Sequence, residues 1–247
     1  MRNPFILLAR VFIVVSMSIY NSGIFYRFSG EYSNIVNWTS LTGFHFFMTV
    51  ATLMGGLTPV AMTFPMERQV FLKEEGSKLY SLSAYFLSKN IIQIPISIII
   101  SLIQVLIMYW FVGLTSTVEQ FFIYYLITLI LTIGGVSIGL LIGSLVMDIV
   151  AVSTTITVVI MPFFIFAGFL KNPANMPIWY GWIQYISPCK YGFAAWILNE
   201  VNGTVPSNID FLNLDTGLWF SVIMLLVLAA VFNLLSFILL WATRTRV

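Results

Sequence analysis

The residues that could do chemistry in this 247-residue chain are few, and most of them lie in residues 67–89. This segment, ERQVFLKEEGSKLYSLSAYFLSK, holds four of the 11 basic residues and three of the nine acidic ones. An apolar stretch long enough to span a membrane lies on each side of it. A charged, partly amphipathic segment between two spans is typical of a platform at the membrane surface. We therefore expect a mechanical contact here rather than a reaction centre.

Enzyme chemistry has little support elsewhere in the sequence, and we expect no catalytic and no metal-binding residues. The single histidine, His45, has no partner at a metal-ligand or triad spacing, so a packed or hydrogen-bonded role is favoured. No phosphate loop of the Gly-x-x-x-x-Gly-Lys-Ser/Thr type occurs, so ATP is not expected to bind by that route. Cys189 is expected to be a free thiol, with a disulfide to a second subunit as the alternative.

The apolar composition predicts transmembrane helices, and these helices must position the charged segment at residues 67–89. The chain is 60% hydrophobic and 8% charged, with a mean hydropathy of +0.98, whereas soluble domains carry about 25% charged residues. This favours an all-α integral membrane protein with six transmembrane helices, each of about 20 residues. The predicted spans are about 5–26, 39–66, 90–111, 120–147, 149–170 and 218–243. Arg10, near the start of the first span, is expected to snorkel to the membrane surface.

Few ionisable groups lie inside these spans, which weakens the case for an ion-coupled mechanism or an ion-selective pore. Ion-coupled carriers, proton pumps and ion-selective pores usually place Asp, Glu, Arg or Lys there. Only His45 is well inside a predicted span. The first span also has the charge-then-apolar order of a signal peptide. We favour a retained span, because no small-x-small cleavage site follows it. The remaining interpretation is a membrane domain that carries apolar or amphipathic molecules, which are moved by a force applied from outside this domain.

The distribution of basic residues predicts orientation. With an internal N-terminus, eight basic residues fall on the inner side and three, Arg27, Lys171 and Lys190, on the outer side. This positive-inside bias predicts that both termini are cytoplasmic. The sequons at Asn37 and Asn202 fall on the predicted outer side, so both asparagines are candidate glycosylation sites. The net charge of +2 is too small and dispersed to suggest nucleic acid as a partner.

Two further stretches predict packing features. Gly135, Gly139 and Gly143 form a small-x-x-x-small stripe on one face of the fourth span, where backbones can approach closely. Packing within the chain is favoured over a dimer contact. The outer residues 171–217 begin with an aromatic segment that is too polar to span and too apolar for a solvated loop. A re-entrant helical hairpin in the outer leaflet would satisfy both properties.

Several motifs, in the same order along the whole chain, resemble G-subfamily (White/BCRP-type) ABC transporters. The run Glu67-Arg-Gln-Val-Phe-Leu-Lys-Glu-Glu, followed by Tyr80-Ser-Leu-Ser-Ala-Tyr-Phe-Leu-Ser-Lys, looks like the family's loop after the second helix. Pro162-Phe-Phe-Ile-Phe-Ala-Gly-Phe-Leu resembles the end of the fifth helix. Ser187-Pro-Cys-Lys-Tyr-Gly-Phe-Ala-Ala resembles the family's re-entrant motif, and Arg2-Asn3-Pro4 the start of its first helix.

The resemblance implies a type-2 ABC transmembrane domain over residues 1–247, working as a homo- or heterodimer of half-transporters in the plasma membrane or an internal membrane. The ATPase domain that precedes it in the family is absent from this sequence. Met1 is therefore expected to be a fragment or gene-model boundary, with a separately encoded ATPase as the alternative. No cofactor is expected in this chain, since ATP and Mg²⁺ would bind the missing nucleotide-binding domain.

The resemblance also assigns roles to residues. The coupling segment to the ATPase would comprise Glu67, Arg68, Phe71, Lys73 and Glu74. An apolar gate would be formed by Phe169 and Leu170, and the substrate cavity lined by Thr157, Met161 and Phe164. One departure is Gly55–Gly56 in the second helix, where some multidrug members carry an aromatic residue, which puts aromatic stacking of flat drugs in doubt.

These observations lead to the hypothesis of an ATP-driven exporter of lipid-like or amphipathic molecules, with membrane lipid at its surface. Two alternatives stay open. The chain could be an ATP-independent pore or carrier, or a truncated partner that dimerises without transporting. The substrate is not determined by the sequence.

Overall fold

The protein is described by a computed structural model, which covers residues 4–26, 35–76, 81–114, 117–169, 178–201 and 217–244. The helices are α1 (Pro4–Ile24), α2 (Ile35–Gly76), α3 (Leu82–Val112), α4 (Val118–Leu145), α5 (Ile149–Ile165), α6 (Ile178–Gly181), α7 (Pro188–Glu200) and α8 (Leu218–Arg244). A short 3₁₀ helix, Trp182–Tyr185, joins α6 to α7. Within these ranges there is no β-strand.

Five helices are long and apolar enough to cross a membrane, which confirms the predicted all-α membrane fold. They are the stretches Leu7–Ile24, Trp38–Arg68, Leu82–Val112, Val118–Leu145 and Leu218–Thr243. The apolar helix α5 has 17 residues, which corresponds to about 25 Å at 1.5 Å per residue. This is shorter than the ~30 Å hydrocarbon core of a bilayer.

The second and third helices extend beyond their predicted spans. Helix α2 continues from the predicted end at 66 to Gly76, and α3 begins at Leu82 rather than 90. Pro59 and Pro65 do not end α2, although proline removes a backbone donor. Thr63 Oγ1 donates to the Pro59 carbonyl at 2.8 Å, within the helical stretch that joins the two prolines. The predicted coupling segment is therefore a continuation of α2.

Helix α4 is the centre of the bundle and packs against α2 on one side and α8 on another. Small residues allow α2 and α4 to approach closely. A Cβ added at Gly56 would collide with the Thr132 carbonyl oxygen, and one at Gly135 with the Leu53 carbonyl oxygen. The α2–α4 contact is therefore nearly backbone to backbone, which restricts relative movement of the two helices.

The helix ends meet in two groups, at opposite ends of the bundle. At one end, the continuation of α2 and the start of α3 pack against α8 through a small core that includes Phe71, Phe86 and Leu240. The start of α1 lies at this end too, because Arg10 bonds Gln93 of α3. At the other end, Gln120 at the start of α4 meets Asn199 near the end of α7. The start of α1 and the end of α8 thus lie at the same end of the bundle.

Candidate functional site

A cleft with a volume of about 930 Å³ lies between α1 and α2. Its walls are mostly apolar, and exposed side chains such as Ile13, Met17 and Phe47 line it, so it is open on one side. Gly55 brings α2 close to α1 here, because a Cβ at this position would lie 3.2 Å from Val14 Cγ2. A long apolar cleft of this size can hold an acyl chain or another slender amphipathic molecule.

Polar groups reach the cleft at a few defined points. Gln104 of α3 lies at its wall, and its amide donates a 2.6 Å hydrogen bond to Thr52 Oγ1. Arg10 of α1 lies at one end, and its Nη1 donates to Gln93 Oε1 at 2.8 Å. Arg10 is only 3% exposed, so it does not snorkel to the surface as the sequence suggested. The sequence marked it only as a charge close to a span end.

The residues predicted to line a cavity lie on α5, apart from this cleft. Thr157 and Met161 are exposed on the surface of the single chain, and Phe164 is partly buried against Phe46 with a ring-centroid distance of 5.9 Å. The three side chains do share a helix face, as their spacing requires. They line a cavity only if another element covers α5, so their role stays a prediction.

The predicted gate falls partly within the described residues. Phe169 stacks on Phe46 of α2, with ring centroids 4.9 Å apart and planes at 25°, and its ring edge meets Phe193 of α7. It therefore joins the region after α5 to the end of α2 that lies away from Glu67. Leu170 lies outside the described residues.

The residues predicted for coupling form a braced helical hairpin, which we define as the end of α2 from Glu67 and the start of α3 up to Lys89. The Glu67 carboxylate pairs with the Lys89 ammonium across the two helices, and both side chains are partly exposed. Phe71 is buried and stacks on Tyr85, with centroids 4.2 Å apart and planes at 15°. One ion pair and one aromatic stack thus tie the two legs together.

Arg68 fixes this coupling hairpin to the central helix. It is 1% exposed, and its Nη1 donates a 2.9 Å hydrogen bond to the Ser144 carbonyl oxygen. Ser144 is the penultimate residue of α4. The backbone carbonyls in the last turn of a helix lack partners within the helix and carry partial negative charge. The guanidinium therefore satisfies the end of α4. Glu74 is partly buried, while the side chain of Lys73 lies outside the described part of the structure.

The glycine stripe of α4 faces α2 of the same chain. A Cβ at Gly139 would lie 2.6 Å from the Leu57 carbonyl oxygen, and one at Gly143 would lie 2.9 Å from Phe64 Cβ. Gly135 faces Leu53 in the same way. The predicted glycosylation sites cannot be placed in this manner, because the Asn37 side chain and the whole of Asn202 lie outside the described residues.

His45 lies in a buried aromatic cluster away from the coupling hairpin. Its Nδ1 donates to the Leu41 carbonyl at 2.9 Å, and its ring lies against Tyr124 and Trp196 at centroid distances of 6.0 and 6.1 Å. The Glu200 carboxylate is close enough to interact electrostatically with the imidazole. Among the described residues, no group of three or more His, Cys, Asp and Glu side chains could hold a metal ion.

Comparison with known proteins identifies the class of this helical bundle. Residues 1–201 match the family described as ABC-2 type transporter. The protein therefore belongs to the ABC-2 type transporter family, whose members provide the membrane part of ABC-type transporters.

Curated relatives place the chain within the G subfamily. It is 31% identical over 204 residues to the broad substrate specificity ATP-binding cassette transporter ABCG2 of Bos taurus, which covers 81% of this chain and 30% of that protein. It is 28% identical over 184 residues to Protein white of Ceratitis capitata (74% and 27%), and 27% identical over 183 residues to ABC transporter G family member 2 of Dictyostelium discoideum (74% and 14%). The chain thus spans less than a third of the length of these relatives. It is a transmembrane domain of a G-subfamily ABC transporter.

Proposed function

We propose that this chain is the membrane half of an ATP-driven exporter of lipid-like or amphipathic molecules, working as a dimer and driven by an ATPase domain. One observation carries the proposal: α2 is a single helix of 42 residues that reaches from the coupling hairpin to the wall of the cleft. A force applied near Glu67 is therefore transmitted along α2 to the side chains that face the cleft. Membership in the ABC-2 type transporter family also supports a role in transport.

The hairpin has the properties of a stiff contact for such a force. The Glu67–Lys89 pair and the Phe71–Tyr85 stack hold its two legs together, and Arg68 joins it to α4. Bending one leg alone would break these contacts. A push on the hairpin therefore moves α2, α3 and the end of α4 as one unit, as rigid-body switching requires.

We also propose six membrane crossings, with α5 as the fifth. Because α5 begins directly after α4 and its Phe163 carbonyl accepts a bond from Ser187 Oγ, it runs back towards the end where α7 lies. With the positive-inside bias, the coupling hairpin and both termini are cytoplasmic. The segment from α6 to α7 is then the outer re-entrant element. Exposed Thr157 and Met161 on α5 suit a cavity shared with a second copy.

The experiment tests coupling in a dimer that carries its ATPase domains, reconstituted in vesicles with a fluorescent phosphatidylcholine analogue. Glu67→Lys and Lys89→Glu each place like charges opposite each other, so both should reduce lipid-stimulated ATP hydrolysis and lipid export. The double exchange restores an opposite-charge pair and should recover most of the stimulation. The readout is the ratio of stimulated to basal hydrolysis, which separates coupling from the ATPase reaction itself.

Glu119→Lys is the matched control, since it reverses an exposed acid at the other end of the bundle. It should leave the stimulation ratio unchanged. Full stimulation in both single hairpin variants would contradict the proposal. Lipid movement by this chain without nucleotide would instead indicate a passive carrier. Co-purification with a full-length relative, without transport, would indicate a non-transporting partner.

A further inference from the structure

Three polar atoms of the buried aromatic cluster around His45 have no hydrogen-bond partner within the part of the chain that the structure describes. They are Nε2 of His45, the hydroxyl of Tyr124 and Nε1 of Trp196. All three side chains are 0% exposed. An unpaired polar atom in an apolar interior is unfavourable, because burial removes the water that would otherwise bond it. Three such atoms in one cluster therefore indicate a shared partner.

The three side chains come from three helices that meet at one end of the bundle. The Tyr124 ring of α4 stacks on the Trp196 indole of α7, with centroids 5.2 Å apart and planes at 9°. The His45 ring of α2 lies 6.0 Å from the Tyr124 ring and 6.1 Å from the Trp196 ring. Each ring is thus a neighbour of the other two, and one small molecule can bond to all three helices.

A carboxylate lies beside this cluster. Glu200 follows Trp196 by four residues on α7, so the two side chains share a helix face. Glu200 is 2% exposed, and it interacts electrostatically with both His45 and Tyr124. The imidazole and the carboxylate are not joined by a direct hydrogen bond, because His45 Nε2 has no partner among the described residues.

The donors and acceptors of the cluster match a water molecule. His45 Nδ1 donates to the Leu41 carbonyl at 2.9 Å, so Nε2 of the neutral ring is an acceptor. The Glu200 carboxylate is a second acceptor, whereas the Trp196 indole and the Tyr124 hydroxyl can donate. Water has two hydrogens and two lone pairs, and a buried water makes roughly two to four hydrogen bonds. A metal ion does not fit, because no group of three or more His, Cys, Asp and Glu side chains in the described ranges could hold one.

The cluster lies within the apolar part of the bundle. His45 is seven residues beyond Trp38, where the apolar stretch of α2 begins, which is about 10 Å along the helix. On α4, Gln120 lies one turn before Tyr124, nearer the end of the bundle, and it exchanges two hydrogen bonds with Asn199 of α7. A water molecule beneath this pair is therefore an internal part of the fold.

We propose that this cluster is a binding site for one buried water molecule. The water donates its two hydrogens to His45 Nε2 and the Glu200 carboxylate. It accepts hydrogen bonds from the Tyr124 hydroxyl and Trp196 Nε1. The water thereby joins α7 to α2 and α4, at the end of the bundle away from the coupling hairpin. The site goes beyond the proposed function, since it requires neither a transported molecule nor an ATPase.

An experimental density map tests the site directly. The sample is the full chain in nanodiscs, with an antibody fragment bound to increase its size, at a resolution that shows ordered water. We expect one density peak within hydrogen-bond distance of His45 Nε2 and of Tyr124 or Trp196. Well-defined rings without a peak between them would overturn the proposal.

Tyr124→Phe tests the same site by stability, because it removes one hydroxyl and keeps the ring. If the hydroxyl bonds the water, the ratio of folded to unfolded protein in SDS should fall about three- to tenfold. If the hydroxyl is unpaired, its removal should leave this ratio unchanged or increase it, which would contradict the site. Tyr180→Phe is the matched control, since Tyr180 is exposed and lies outside the cluster, and it should leave the ratio unchanged.

Replacing K⁺ and Na⁺ by choline at constant ionic strength distinguishes water from a bound cation. With water in the site, the stability should be the same in all three salts. A loss of stability in choline that Tyr124→Phe abolishes would mean that a cation occupies the site, and it would overturn the proposal. None of these measurements needs ATP or transport, so the result is independent of the proposed function.

Discussion

The guanidinium of Arg68 donates a 2.9 Å hydrogen bond to the carbonyl oxygen of Ser144, 76 residues further along the chain. One residue belongs to the charged segment that opens the coupling hairpin, and the other to the last turn of the central helix. A charged residue that the sequence places at the membrane surface is thus an internal link between α2 and α4.

Arg68→Ala should lower the free energy of unfolding by about 2 kcal/mol or more, because a charge-assisted hydrogen bond is lost and the end of α4 is left unsatisfied. Arg68→Met should lose less, since it keeps the packing of the stem and removes a buried charge. Unfolding in SDS measures both. Leu87→Ala, on the exposed side of α3, is the control, and equal stability of Arg68→Ala and this control would contradict the role of the link.

Two adjacent glycines of α4 should respond oppositely to alanine. Gly135→Ala pushes a methyl group into the Leu53 carbonyl oxygen and should cost about 1–3 kcal/mol through overpacking. Gly134→Ala has nothing within 4 Å of the added Cβ, and alanine favours helix by up to about 1 kcal/mol, so it should be neutral or stabilising. The same SDS unfolding assay compares them. Equal effects at both positions would exclude close α2–α4 packing.

The bonds between α4 and α7 should contribute additively. Gln120 Nε2 donates to the Asn199 carbonyl at 3.0 Å, and Asn199 Nδ2 donates to the Gln120 carbonyl at 3.1 Å. Each bond uses one side chain and the other residue's backbone. Gln120→Ala and Asn199→Ala should therefore each cost about 1 kcal/mol, and the double variant about the sum.

A double-mutant cycle on unfolding free energies measures this additivity. The exposed neighbour Glu119→Gln should stay within about 0.5 kcal/mol of the unsubstituted protein. A double variant no less stable than either single variant would mean that the two bonds depend on each other.

Cys189 should react slowly with thiol reagents in the folded protein. Burial raises the pKa of its thiol to about 12, so only about one thiol in 10⁴ is ionised at pH 8, and the thiolate is the reactive form. The labelling rate should rise about tenfold per pH unit and increase sharply on unfolding in SDS. Glu119→Cys in a Cys189→Ser background, at an exposed position that carries a charge in the unsubstituted protein, should react rapidly. Rapid labelling of folded Cys189 would contradict its burial.

The same shift has a consequence for stability. The folded thiol holds its proton more tightly than the unfolded thiol, whose pKa is about 8.5. Stability from this group is therefore fully present below about pH 8.5 and decreases as the pH rises towards 12. Comparing unfolding of the unsubstituted protein and Cys189→Ser across this range isolates the contribution of the thiol.

Helix boundaries show where prediction from sequence was limited. The predicted spans ended at charged residues, whereas α2 continues past Glu67 to Gly76 and α3 begins at Leu82. The apolar sequence pattern ends at the membrane surface, but the helical backbone hydrogen bonds continue beyond it. Phe71 and Tyr85 then stack outside the spans predicted from the sequence, a contact between two helices that no local pattern encodes.

The sequence by itself determined that this chain is a bundle of membrane helices, because apolar segments in lipid must satisfy their backbone hydrogen bonds internally. It also determined that α4 has a face of glycines, because residues four apart share a face. Only the tertiary structure decided which helix meets that face, that Arg10 is buried at a cleft, and that Arg68 binds α4. In lipid, buried and exposed helix faces are equally apolar, so hydrophobicity does not distinguish them and close packing selects the partners.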